Sequence, residues 1–239
     1  MDPTTARRHV LTVAALVIAL LLGAPAHAAA WSNGVDGGDS YGTHDWILEK
    51  ALQGAGAAGA WVRVGVALRA TDDPDTVDGI DHASASWWHV WDEWGATWGG
   101  APEAAEVWFE RTRNRLGDGR ERAASRALGI LAHILGDVAQ PMHTDGWMRA
   151  EDRVHPLYEA AVDRRSEASD TVYRFSYDGA DRVTPHALTL SVARGSHRYY
   201  ETLVRAYARH SYNTRVHRIT KRRLNRAGNA LADLIRALR

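Results

Sequence analysis

The sequence predicts an all-α fold, a single-domain bundle of several helices with ligand side chains projecting into an interior cleft. Three observations carry that expectation. Apolar residues recur at helical spacing through most of the chain. Only one short segment, Val172-Tyr173-Arg174-Phe175, alternates as a strand would. Histidines and carboxylates occur four residues apart, which stacks them one turn apart on one helix face and lets a bundle present them inward.

The elements follow in order. Thr43 to Gln53 sets Trp46, Ile47 and Ala51 on one side, and Gly59 to Ala70 is a compact apolar segment after a glycine-rich turn. Pro102 with Glu103 marks a helix start that runs to Leu116, where Gly117-Asp118-Gly119 breaks it. A long helix covers about Glu121 to Gln140. Thr184 before Pro185 reads as an N-cap, with helical pattern from there to His210 and again from Val216 to Leu238. Residues 166–181 are polar and rich in turn formers. No repeat or low-complexity linker divides the chain.

Residues 1–30 read as a secretory signal peptide and not as part of the fold. Arg7 and Arg8 supply the positive segment, and Val10 to Leu22 an apolar stretch too short to span a membrane. Ala26-His27-Ala28 or Ala28-Ala29-Ala30 provides the cleavage site. The protein is therefore expected to be secreted. The chain has no cysteine, so it has neither a lipoprotein anchor point nor disulfides, although the compartment would allow them. Bound metal can take the place of such staples, because ligand binding to the folded form contributes folding free energy.

Residues 31–239 suffice for one sizeable core and are short for two. Lys and Arg number 29 and Asp and Glu also 29, which excludes a global field that would draw the chain to nucleic acid or to an anionic surface. The local exception is the basic stretch Arg215 to Arg226, read first as the solvated face of the last helix and second as a contact for phosphate or lipid headgroups.

The richest segment is Leu128 to Trp147. His133 and Asp137 lie four apart, so imidazole and carboxylate can reach one cation. Pro141 ends that helix, and His143 follows on the outgoing chain, free to approach the same cavity from another direction. His155 and Glu159 repeat the spacing. Five potential ligands in so short a run imply more than one metal. The histidines His186, His197, His210 and His217 are read instead as hydrogen-bonded core or surface residues.

With His44 at the start of the first helix and Trp31 directly after Ala28-Ala29-Ala30, the chain resembles the zinc-dependent phospholipase C family, which is related to the zinc-dependent single-strand nucleases. The matching residues are Trp31, His44, an aspartate near Asp72-Asp73-Pro74, His89 in His-Val-Trp-Asp, the block His133 to His143, and His155 with Glu159. The resemblance implies a trinuclear zinc site. One zinc is held by Asp72, His89, His133 and Asp137, and a second by His143, His155 and Glu159. The third is held by the main chain of a new N terminus at Trp31, His44 and Asp137. The aspartate could be Asp73 instead of Asp72, and His82 could replace His89. Nitrogen and carboxylate ligands without thiolate suit zinc on independent grounds.

The expected activity is that of a phospholipase C, attack of activated water on a phosphodiester to give diacylglycerol and a phosphorylated headgroup, with Asp72 orienting the water. The separation of Trp31 from His44, and Glu159 where the nucleases usually have aspartate, favour the phospholipase branch. The alternatives are a single-strand nuclease and a non-catalytic metal-binding protein. Expected partners are the phospholipid substrate, with transient membrane-surface contact; no obligate protein partner is evident, and nucleic acid belongs only to the nuclease reading. Trp87, Trp88, Trp91, Trp94 and Trp98 divide between an aromatic rim and core packing.

Overall fold

A computed structural model describes residues 41–76, 90–92, 99–144, 151–168, 170–179, 184–209 and 212–238. The fold is all-α, and no strand occurs among the described residues. The helices are α1 (Thr43–Ala55), α2 (Val64–Arg69), α3 (Asp73–Thr76), α4 (Ala101–Gly117) and α5 (Glu121–Ala139), then, after a 3-10 turn at Pro141–Thr144, α6 (Glu151–Ala168) and α7 (Asp170–Tyr173). They continue with α8 (Pro185–His197), α9 (Tyr200–Ala208) and α10 (Thr214–Ala237). The signal segment, Trp31, His82 and His89 lie outside the described residues, as do four of the five clustered tryptophans.

Helix α5 is the axis of the bundle. Every residue from Ala127 to Ala139 is buried, as expected of a helix enclosed on all sides. It touches α1, α2, α4, α8 and α10. Where it crosses α2 the approach requires glycine: a β-carbon at Gly129 would stand 2.2 Å from the Ala67 carbonyl oxygen. One apolar cluster joins all these helices and includes Trp46, Leu131, Ile134, Tyr158, Leu203 and Leu231.

Local signals explain most boundaries. Pro102 lies in the first turn of α4. Thr184 Oγ1 accepts the Ala187 amide at the start of α8, and Asn213 Oδ1 accepts the amides of Arg215 and Val216 at the start of α10. The helical stretch expected from Thr184 to His210 is two helices, broken at Arg198 and Tyr199. Helix α1 is held at its start by a distant residue, with the Thr43 amide and hydroxyl both donating to Asp163 Oδ1 at 3.0 Å.

The strand-like reading of Val172 to Phe175 is corrected. Val172 and Tyr173 end α7, and Arg174 has φ 37° in the left-handed region. The alternation reflects two aromatic plugs set into the helices. Tyr173 is buried beneath Trp46, and Phe175 fills the notch left by Gly228, where a β-carbon would stand 2.7 Å from its ring. Side chains of α10 supply the bonds that a neighbouring strand would have given: Asn225 donates to the Arg174 carbonyl and accepts the Ser176 amide, and Asn229 donates to the Ser176 carbonyl and accepts the Asp178 amide.

Candidate metal centre

Two clusters of side chains that could hold metal form where the end of α5, the turn that follows it, and the starts of α1 and α6 converge. His44, His133 and Asp137 make the first, fully buried, and His143, His155 and Glu159 the second; within each cluster the ligand atoms lie within 4.8 Å of one another. His133 and Asp137 share a face of α5, and their Nε2 and Oδ2 atoms are 3.1 Å apart. The other oxygen of Asp137 faces His44 Nε2 at 3.3 Å, so the two oxygens address different imidazoles. Asp137 Oδ2 also lies 3.8 Å from His143 Nδ1, which links the clusters. The His44 and His133 rings stack with centroids 4.3 Å apart.

The orientation of His133 follows from its other nitrogen. Nδ1 is 2.7 Å from the Thr71 carbonyl, which can only accept, so Nδ1 carries the proton and Nε2 is turned toward the carboxylates. Burial works against protonation of this ring, but Asp137, Asp75 and the Thr71 carbonyl outweigh it and hold the pKa up to about 10. A cation at Nε2 would have to displace the proton that the charged ring carries there, leaving the Nδ1 proton donated to Thr71.

In the second cluster His155 Nε2 lies 2.6 Å from Glu159 Oε1 and 3.1 Å from His143 Nε2. Burial would raise the Glu159 pKa, yet the imidazoles of His155 and His143 hold it below the ordinary carboxylate value. His143 stands on the turn after Pro141, and its carbonyl accepts the Trp91 amide at 2.9 Å. The half-buried Trp91 ring meets His197 edge-on, and His197 Nδ1–H donates to the Thr144 carbonyl at 2.8 Å.

Three residues of this region had no role assigned from the sequence. Gln140 is fully buried; its Nε2 donates to Glu159 Oε1 at 2.9 Å and its Oε1 accepts the Met142 amide at 2.7 Å, so it ties the second cluster to the turn. Thr71 orients His133. Asp75 places Oδ1 3.7 Å from His133 Nε2. An amide side chain directly before the helix-ending Pro141 is the signal the sequence carries for Gln140; nothing local distinguishes Asp75 from its neighbours.

The acidic run is thus sorted by its surroundings. Asp73 pairs with Arg126 at 2.6 Å on the outer side. Asp72 accepts the Thr71 hydroxyl at 3.3 Å, and its pKa is pushed up to about 7, first by burial and then by the Asp45 carboxylate, against the pull of His44, Thr71 and His133. Of the other histidines, His186 faces Glu103 at 3.3 Å and His217 stacks on Tyr173. His210 lies outside the described residues.

This architecture occurs in solved proteins. The alpha toxin from Clostridium absonum superposes with a TM-score of 0.64 at 16% identity, over 82% of this chain and 62% of the toxin. An alpha-toxin of an avian Clostridium perfringens strain gives 0.62 at 15% identity with the same coverage. The fold is that of the alpha toxins. The chain spans less than two thirds of either toxin's length. No family model matches the sequence. No curated protein matches it either.

Proposed function

We propose that the chain is a secreted zinc-dependent phosphodiesterase that acts on phospholipids as a phospholipase C. The observation that carries this reading is the junction at Asp137: one buried carboxylate faces His44 and His133 from its two oxygens and approaches His143 of the second cluster. Imidazole and carboxylate donors without sulfur fit zinc, and a phosphodiester hydrolase benefits from several such ions held close together.

His44, His133 and Asp137 would hold metal on one side, and His143, His155 and Glu159 on the other; Trp31, Asp72 and His89 complete the trinuclear set in this reading. Asp75 supports it as a second carboxylate beside His133, after Asp137. Zinc in these sites would bring the pKa of a bound water to about 7 and offset charge on the phosphodiester oxygens. The residues do the rest. His133 is locked in one tautomer by Thr71, and Asp72 is poised to accept a hydrogen bond from the attacking water and orient it. Export and cleavage before Trp31 are required, since the new α-amino group is a ligand.

The test joins N-terminal sequencing of the secreted protein to a zinc count and to parallel assays on a phosphatidylcholine emulsion and denatured DNA. Three zinc ions, a chain starting at Trp31 and release of diacylglycerol are expected. Cleavage of DNA alone would make the protein a nuclease, and full zinc with no phosphodiester hydrolysed would make it a metal-binding protein.

A further inference from the structure

The balance of 29 basic against 29 acidic residues conceals a strong separation. From Pro185 to Ala232, which includes α8, α9 and most of α10, the sequence holds ten Lys and Arg residues and one acid, Glu201. Glu201 is engaged with Arg205 on its own helix. Arg215, Arg218 and Arg222 form one exposed stripe along α10 at helical spacing, and Arg194 and Arg198 are exposed one turn apart at the end of α8.

Specific contacts bring the two stripes together. Arg222 Nη1 donates to the Tyr199 hydroxyl at 2.8 Å, which sets Arg222 beside the Arg198–Tyr199 corner. Behind that corner Arg223 is buried, and its pKa is lowered to about 10 by burial first and by the nearby charges of Arg226 and Arg198. The corner also adjoins the metal centre: His197, one residue before Arg198, donates to the carbonyl of Thr144, one residue after His143.

We propose that this basic face, centred on Arg198 and Arg222 with Arg194 and Arg218, docks the protein on the surface of an anionic phospholipid bilayer. Complementary charge is the argument. Each Lys or Arg brought near an anionic leaflet contributes about fivefold in affinity. The aromatic rings along the described part of the face, Tyr199, Tyr200, Tyr207 and Tyr212, are buried or half-buried. They offer no platform for the base stacking on which single-strand nucleic-acid binding depends, whereas headgroup phosphates require only the charges. Docking goes beyond the hydrolytic reading and does not need it, because the four arginines lie outside both ligand clusters.

The test is co-sedimentation of the zinc-loaded secreted protein with vesicles of phosphatidylcholine alone or mixed with phosphatidylserine, at low and raised salt. Binding to the mixed vesicles is expected to exceed binding to neutral ones by at least roughly tenfold and to weaken with salt. The combined variant R194Q, R198Q, R218Q, R222Q is expected to lose at least roughly tenfold, and the corresponding Arg→Lys variant to keep it. Both should keep the parent's circular dichroism and its activity on a soluble short-chain substrate. Equal binding to both vesicle types, or undiminished binding by the Gln variant, overturns the proposal; so does tighter binding to single-stranded DNA that the same substitutions abolish. Vesicle binding without hydrolysis of any phospholipid leaves the docking face standing and removes the catalytic reading. Hydrolysis without charge-dependent binding does the reverse.

Discussion

His44 lies against Gly136 so closely that a β-carbon there would stand 2.5 Å from His44 Nδ1 and 2.7 Å from Cε1. The glycine comes one residue before Asp137 and lets the first helix bring its histidine onto the helix of His133 and Asp137. Gly136→Ala improves local helix propensity by about 1 kcal/mol, but the methyl group must push the imidazole away from Asp137. The expected net effect is a loss of roughly 1–3 kcal/mol in thermal or denaturant unfolding, with zinc retained at the second cluster and lost where His44 contributes. Metal analysis of the dialysed variant checks it; unchanged zinc and stability would show that His44 relaxes without consequence.

Gln140 joins the second cluster to the turn by bonding Glu159 through its nitrogen and Met142 through its oxygen. Gln140→Leu keeps the size and removes both bonds, together with the 2.7 Å contact of its nitrogen with His155 Nε2, leaving the Met142 amide without this acceptor. Zinc affinity at the second cluster should fall by about 10- to 100-fold, the usual cost of losing a group that orients a ligand. Competition with a chelator of known strength measures this, and a helical circular dichroism spectrum like the parent's shows that the fold is intact.

Asp72 gives a pH-dependent prediction. Its pKa in the metal-free fold is about 7 against 3.8 for the ordinary group, so the associated stability is fully present below about pH 4 and is lost as pH rises through about 7. Asp72→Asn should therefore stabilise the metal-free protein at pH 8 by on the order of 1 kcal/mol, a figure discounted for solvent screening, and make no difference at pH 4. The zinc-loaded variant should nevertheless lose at least about 100-fold in phosphodiester hydrolysis at saturating zinc. Denaturation at the two pH values and an assay beside a zinc count decide the matter, and surviving activity would remove Asp72 from the reaction.

The parts of the molecule legible from sequence are those set by local rules. The four-residue spacing of His133 and Asp137, the stop at Pro141 and the cap at Thr184 act within a few residues, and the helices follow them. The illegible parts depend on distant partners. Thr71 orients His133 across 62 residues of sequence, and Asp163 holds the start of α1 across 120. The Asp72 to Asp75 run could not be sorted by pattern, because Arg126 draws Asp73 outward while the short α3 turns Asp75 toward His133. Val172 to Phe175 misled for the same reason: its alternation is answered by asparagines of α10 and not by a strand.

Arg223 was unreadable as well, being one basic residue in a basic stretch, yet it alone of the neighbouring arginines turns inward. Its Nε approaches the Ala139 carbonyl at 3.4 Å and its Nη2 donates to the Val192 carbonyl at 2.9 Å, while Ser196 Oγ also donates to Ala139. Ala139 is the last residue of the helix that carries Asp137, so a cation here meets the negative end of that helix and holds it to α8. Arg223→Met keeps most of the apolar stem but takes one donor from each carbonyl, leaving the Ser196 hydroxyl to serve both. It should cost roughly 1–3 kcal/mol in unfolding and loosen the helix end, speeding zinc loss to a chelator. Ser196→Ala alone should cost less, and the double variant more than the sum, because each donor partly covers for the other at Ala139. A strictly additive cycle would show that the two donors hold the helix end independently.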